Sequence, residues 1–252
     1  MFIPSLNLKG SRFVYKPGQI AIEEFVEAEI VVVQRQVSNS NLNALKAIRE
    51  YGMRIVYDLD DNLWDIPASN PAKRVFDVAK HYLAPCVELC DAMTVSTRGL
   101  RTAVRTALPH LRQEIFVVPN AIDYKLFQPP KCKKDDRVVI GFGGSNTHDE
   151  DVQAAWAALE VVIPKNENVY LDLVNIQPPS KLKGHPRVNV RPWCHVAQYP
   201  ARYATWGWDI VVAPLVSNRF NKSKSAIRVL EPTAVGGVAL ASDVQPYAEF
   251  MS

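Results

Sequence analysis

Short β-branched runs alternate with segments of helical period from residue 29 to residue 118, and that alternation leaves few folds open. Residues 29–34 (Glu-Ile-Val-Val-Val-Gln), 54–57, 92–95 and 115–118 are apolar runs of strand length, as in strands covered on both faces. Between them, 41–50, 73–89 and 98–108 carry apolar residues at helical spacing. The order βαβαβαβ is the signature of a parallel sheet with crossover helices.

The texture then changes. Residues 119–136 hold three prolines and a cluster of charges without sustained period, which reads as a linker between domains. After it the alternation restarts. Strands are expected at 137–142, 169–174, near Val188, at 209–213 and at 238–241, with helices at 149–163, near 197–205, and from Lys224 onward. The architecture expected is α/β: two doubly wound, Rossmann-like parallel-sheet domains facing a cleft. They divide into an acceptor-side domain at 1–130 and a nucleotide-binding domain at 131–252. In such sheets ligands sit beyond the carboxyl ends of the strands.

Composition narrows the class. Of 252 residues, 48% are hydrophobic and 22% charged, ordinary for a globular chain. The net charge of +3 is too small an excess to argue for nucleic acid by itself. No apolar run approaches the roughly 20 residues that span a bilayer, and the N-terminus lacks the pattern of a signal peptide, so no membrane insertion is expected. Four cysteines (Cys86, Cys90, Cys132, Cys194) lack Cys-x-x-Cys spacing, pointing to a reduced, cytoplasmic setting. Cys194, His195 and His185 lack the second cysteine pair of a zinc site and read as a buried hydrophobe and loop histidines. Trp193, Trp206 and Trp208 read as packing of the second domain.

Three loops after strands carry candidate chemistry. In Gly141-Phe-Gly-Gly-Ser-Asn-Thr-His-Asp149, Gly143 and Gly144 would let backbone approach a ligand, with Ser145 adding a donor where a helix begins, an arrangement suited to phosphate. A tight turn with a helix cap is the other reading. In Phe220–Asp243, a helix starting near Lys224 would set Lys224, Arg228 and Glu231 on one stripe. Lys222, Lys224 and Arg228 would then neutralise a diphosphate, and Glu231 would accept from a ribose diol. A solvated amphipathic helix is the alternative. The third is Tyr57-Asp-Leu-Asp-Asp-Asn-Leu-Trp64, where Asp58, Asp60 and Asp61 repel one another unless a donor, cation or metal stands near. Asp60 or Asp61 would orient an acceptor hydroxyl or stabilise developing positive charge. A magnesium site serving a phosphotransferase and an Asx turn with a helix cap remain open.

Taken in order, these segments resemble the retaining glycosyltransferases of family 4, which have the two-domain GT-B fold. The resemblance runs from Glu29 to Tyr247. It is carried by Val117-Val-Pro-Asn-Ala-Ile-Asp123, Asp209-Ile-Val-Val-Ala-Pro-Leu215, Lys224-Ser-Ala-Ile-Arg-Val-Leu-Glu231, Gly236 and Val238-Ala-Leu-Ala-Ser-Asp243. It implies metal-independent transfer of a sugar, with retention, from a UDP- or GDP-type sugar to a glycan, lipid-linked or modified-base acceptor. No cofactor is implied. Glu231 matches the second Glu of the family's E-x7-E pattern, while Ser223 stands where the first is expected, with Lys224 beside it as a substitute. The resemblance thus implies Gly143, Gly144, Ser145, Lys222, Ser223, Lys224, Arg228 and Glu231 as donor-binding residues, and Asp60, Asp61 and Lys224 as the catalytic neighbourhood. Relatives continue well past the Ser-Asp motif, so the chain ending at Ser252 reads as a compact variant, a fragment or the product of a truncated gene. A non-catalytic nucleotide-sugar or polyanion-binding module is the second hypothesis. Oligomeric state is open.

Overall fold

The computed structural model describes residues 27–128, 135–144 and 146–248, together with Gly10 and Phe25. Strands β1 (Ile30–Gln34), β2 (Arg54–Leu59), β3 (Ala92–Val95) and β4 (Glu114–Val117) form one parallel sheet in chain order. Its register sets Gln34 beside Asp58 and Asp58 beside Thr94. The crossovers are α1 (Asn39–Glu50), α2 (Lys73–Glu88) and α3 (Arg98–Ala107). Ser38 and Thr97 start α1 and α3 by accepting from the amides of Asn41 and Leu100 at 3.1 and 3.0 Å, contacts that satisfy otherwise orphaned helix donors.

Leu45 and Ile48 of α1, Leu83 and Cys86 of α2, and Leu100 and Val104 of α3 cover Ile55, Tyr57, Leu59, Met93 and Val95 of the sheet. Each such aliphatic side chain contributes about 1.5–3 kcal/mol when fully buried. The expectation of strands covered on both faces is corrected at the edges. Ile30 and Val32 are 56% and 64% exposed while Val31 and Val33 are buried, because the crossover helices pack on one face of the sheet.

The second sheet has strand order β7-β6-β5-β8-β9, all parallel. Its members are β5 (Val138–Gly143), β6 (Val169–Val174), β7 (Val188–Arg191), β8 (Ile210–Ala213) and β9 (Val238–Ala241). The chain reverses direction across the sheet between β5 and β8, so its helices fall on both faces. α4 (Asp149–Lys165) packs Val152, Trp156, Leu159 and Ile163 on Ile140, Phe142, Leu171 and Leu173. On the opposite face, Tyr203 and Trp206 of α5 (Tyr199–Trp206) join Trp208, Val174 and Val211. α6 (Ile227–Ala234) packs Val229 near Ala213 and Tyr247. Trp206 and Trp208 thus fill the core as expected, whereas Trp193 is exposed.

The two sheets make a two-domain Rossmann-like α/β protein. The boundary expected between residues 130 and 131 lies outside the described residues, as does Cys132; Cys86, Cys90 and Cys194 are free and buried. No helix among the described residues is long and apolar enough to cross a membrane.

Candidate functional site

The reversal between β5 and β8 opens a crevice beyond their carboxyl ends, the place where open α/β sheets hold ligands. At the end of β5, Gly141 lies under the Trp208 ring, so close that a Cβ there would sit 1.9 Å from Cδ2. Gly144 is different. A Cβ on it would stand 3.2 Å from Arg228 Nη2 and 3.4 Å from His148 Cδ2, so its missing side chain makes the floor on which two basic residues converge. The Gly144 amide donates to Val174 O at 3.1 Å and is spent in the sheet edge. That amide is therefore not available to an anion placed here. Ser145 lies outside the described residues.

The segment after β8 departs from expectation. Lys224, Arg228 and Glu231 do not share one helix: residues Asn221–Ser223 form a 3-10 turn, Lys224 is extended at φ −67° and ψ 164°, and α6 begins only at Ile227. Local bonds explain the break. Asn218 Oδ1 accepts from the Asn221 amide at 2.7 Å, and the Asn221 side chain donates to Asp151 and to Val216 O, competing with helical bonding. Lys224 and Arg228 still lie near enough to influence each other's charge. Burial holds the Lys224 ammonium below the usual lysine value, with Asp61 opposing and Arg228 assisting. Its Nζ stands 4.8 Å from the Phe220 ring centre, and the Arg228 guanidinium 5.2 Å from that of Phe142.

Two expected donor residues sit elsewhere. Ser223 is 2% exposed. Its hydroxyl donates to Arg219 O at 3.0 Å, its carbonyl accepts from Thr97 at 2.8 Å, and Asn62 approaches at 3.5 Å. It is an interdomain contact. Lys222 is exposed, with its carbonyl against Gly99 of α3.

Glu231 is half-buried on α6, and the Tyr199 hydroxyl donates to its Oε2 at 3.0 Å. Burial pushes its pKa up to about 7 against the pull of Tyr199 and Arg228. The buried Tyr203 hydroxyl beside it has no hydrogen-bond partner among the described residues.

Across the crevice, Asp60 and Asp61 both accept from Arg35 Nη2, at 2.6 and 2.7 Å. Arg35 follows β1 with φ 52°, a left-handed conformation that a non-glycine residue adopts at a cost. Asp58 does not join them, accepting instead from Gln34 at 2.8 Å and Thr94 at 2.6 Å. No group of three metal-ligating side chains converges among the described residues, so the alternative of a three-carboxylate magnesium site gains no support from them.

Sequence reasoning missed three participants: Arg35, His148 and Asp151. Asp151 is 5% exposed. It joins three segments, accepting from the Val216 amide at 2.9 Å and Asn221 at 2.8 Å through Oδ1, with His148 Nδ1 at 3.1 Å from Oδ2. Burial pushes its carboxyl up, but the His148 and Val216 bonds outweigh it and leave the pKa below the usual value. Arg35 could have been found from its place just past a strand's carboxyl end. A concavity of about 730 Å3 elsewhere on the second domain is floored by Asp172. Asn189, Arg191 and Trp208 already occupy that carboxylate.

No family model matches the chain, and no curated protein matches it. Solved structures do. TarM superposes with a TM-score of 0.57 at 11% identity, over 86% of this chain and 41% of that one. Anabaena HepE, solved with UDP and glucose, gives 0.60 at 16%, over 92% and 63%. A UDP-N-acetylglucosamine 2-epimerase gives 0.52 at 12%, over 91% and 60%. The chain therefore spans from about two fifths to three fifths of their lengths. The likeness establishes the fold: two Rossmann-like domains in the GT-B arrangement. An epimerase shares it, so the architecture alone does not choose the reaction.

Proposed function

We propose that the chain binds a nucleoside diphosphate sugar in the crevice and transfers the sugar, with retention and without a metal, to an acceptor hydroxyl. The observation that carries this reading is that Arg228 reaches Gly144 at the switch point, with Lys224 near enough to act on its charge and on that of Asp61 in the Arg35–Asp60–Asp61 group. Lys224 would act as a point charge on the diphosphate and Arg228 as a fork. Glu231, steadied by Tyr199, would accept from the ribose diol. As the glycosidic bond breaks, charge grows on the leaving diphosphate, and preorganised cations stabilise that charge more than they stabilise the ground state. The leaving oxygen then takes the proton of the incoming hydroxyl on the same face, so no protein base is required. Asp60 and Asp61, both engaged by Arg35, would shape the acceptor side. A glycan, a lipid-linked hydroxyl or a modified base would serve as acceptor.

A second reading, a module that binds nucleotide sugars without turning them over, is favoured by Ser223. Its hydroxyl is committed to the domain contact and does not replace the Glu expected there. One assay separates the readings. Thermal shift across UDP, GDP, ADP and their sugars should raise the melting temperature for one nucleotide class, and with acceptors present that sugar should release UDP or GDP, unchanged by EDTA. Binding without release would leave only the module. An altered sugar epimer without transfer would point to the third chemistry this fold carries, and inhibition by EDTA would overturn metal independence.

A further inference from the structure

We propose that His148 is a proton-coupled binding residue of the diphosphate site: on anion entry its Nε2 gains a proton and donates it to a phosphoryl oxygen. The inference rests on the nucleoside diphosphate reading above.

His148 closes the 3-10 turn Asn146–His148, immediately before α4. Its Nδ1 lies 3.1 Å from Asp151 Oδ2, and Asp151 is fixed through its other oxygen by Val216 and Asn221. An ionised carboxylate only accepts, so in the neutral ring the proton sits on Nδ1 and Nε2 presents a lone pair. Among the described residues Nε2 has no hydrogen-bond partner. The Cδ2 edge next to it faces Gly144, at the point where Arg228 Nη2 also arrives. The ring therefore borders the floor of the anion site and is held there by a carboxylate tied to two other segments.

The charged groups facing the ring are Asp151 on its own helix, Lys224 in the segment before α6 and Arg228 on α6. With the site empty, burial and then the two cations outweigh Asp151 and hold the imidazole at about 4. A nucleotide sugar brings two negative charges that do not titrate near neutrality. They offset Lys224 and Arg228, and a lone pair aimed at a phosphoryl oxygen is repulsive. The balance then favours imidazolium. One proton comes from solvent to Nε2, the Nδ1–H stays with Asp151, and no covalent bond forms or breaks.

Calorimetry of UDP-glucose and GDP-mannose binding at pH 6, in buffers of different ionisation enthalpy, tests this. An opposite charge at 4–6 Å moves a pKa by about 1–3 pH units; with two negative charges arriving, a shift of about 2–3 from the value near 4 is expected, which is uptake of roughly half to nine-tenths of a proton per ligand at pH 6. Affinity should rise about tenfold between pH 8 and pH 5.5 as that site fills. His148→Asn keeps an N–H for Asp151 but cannot titrate. It should lose the uptake and most of the rise, while Glu231→Gln keeps the His148 share. Should His148→Asn fail to fold, the wild-type ring's own NMR titration, with and without UDP-glucose, reads the same quantity. Binding with no proton taken up, or equal uptake in His148→Asn, would overturn the role of His148 and leave the nucleotide reading intact. Absence of binding by every nucleotide sugar would remove that reading, and this inference with it.

Discussion

Burial works in opposite directions on Glu231 and His148, two titratable groups that feel the charge of Arg228. Glu231 is raised to about 7 and His148 lowered to about 4, so both favour their neutral forms. Their consequences for stability have opposite signs. For Glu231 the folded state holds the proton more tightly than the unfolded chain, so its contribution is complete below about pH 4.5 and is lost as pH rises through about 7. For His148 the unfolded chain binds the proton more tightly, so its contribution is complete above about pH 6.5 and is lost as pH falls through about 4. In the wild type the two slopes partly cancel between them. Glu231→Gln removes one: denaturation from pH 5 to 8 should show the variant gaining on the wild type as pH rises, by on the order of 2 kcal/mol. Parallel curves would show that Glu231 is solvated in solution. At this scale the sequence singles out Lys224, Arg228 and Glu231 because cations and a carboxylate beside an apolar stripe are conspicuous. It does not single out His148 and Asp151. Their meaning depends on Val216 and Asn221, far along the chain, closing on Asp151.

Among elements, the strands and crossover helices were legible from period alone, since apolar spacing of 2 or 3.6 reports which face is buried. The segment ahead of α6 was not. Its sequence has helical spacing from Lys224, yet Asn218, Asn221 and Asp151 satisfy the local backbone and side chains in another way, and the helix waits until Ile227. The end of β5 offers a test that separates folding from binding over a few residues. Gly141→Ala would drive a Cβ into the buried Trp208 ring, an overpacking with no route of relief. A loss of about 2–4 kcal/mol, or of soluble protein, is expected. Gly144→Ala meets the tip of Arg228 at 3.2 Å, which can yield, and touches the edge of His148 at 3.4 Å and Ile176 Cδ1 at 3.6 Å. Stability should change by less than about 1 kcal/mol, while affinity for the nucleotide sugar that shifts the melting temperature falls roughly tenfold, about 1.4 kcal/mol. Equal binding by Gly144→Ala and wild type would place the diphosphate elsewhere.

At the scale of the whole molecule, the contact between the domains was not legible, because no local period marks a side chain that crosses from one domain's sequence into the other's core. Phe220 follows β8 of the second sheet, yet it is 7% exposed within the core cluster of the first. Around it, Thr97 donates to Ser223 O, Asn62 reaches the Ser223 hydroxyl, Asn120 donates to Ser225 at 3.1 Å, and Gly99 admits the Lys222 carbonyl where a Cβ would stand 2.7 Å away. Lys224 comes next in the chain, with its ammonium over the Phe220 ring. The anchor that docks the domains and the cation proposed for the diphosphate are thus one short segment, and loosening the first should misplace the second. Phe220→Ala deletes a buried aromatic, a change that costs about 3–5 kcal/mol in a closed core and less where two domains can part. The loss should fall on docking, since neither sheet draws its own strands from this segment. The expected signature is a single unfolding transition splitting into two, faster proteolysis at 216–224, and a roughly tenfold weaker nucleotide sugar, equivalent to about 1.4 kcal/mol. Wild-type affinity with a split transition would show that Lys224 is positioned by the second domain alone, through Asp151 and Asn221, and that docking serves the acceptor rather than the donor.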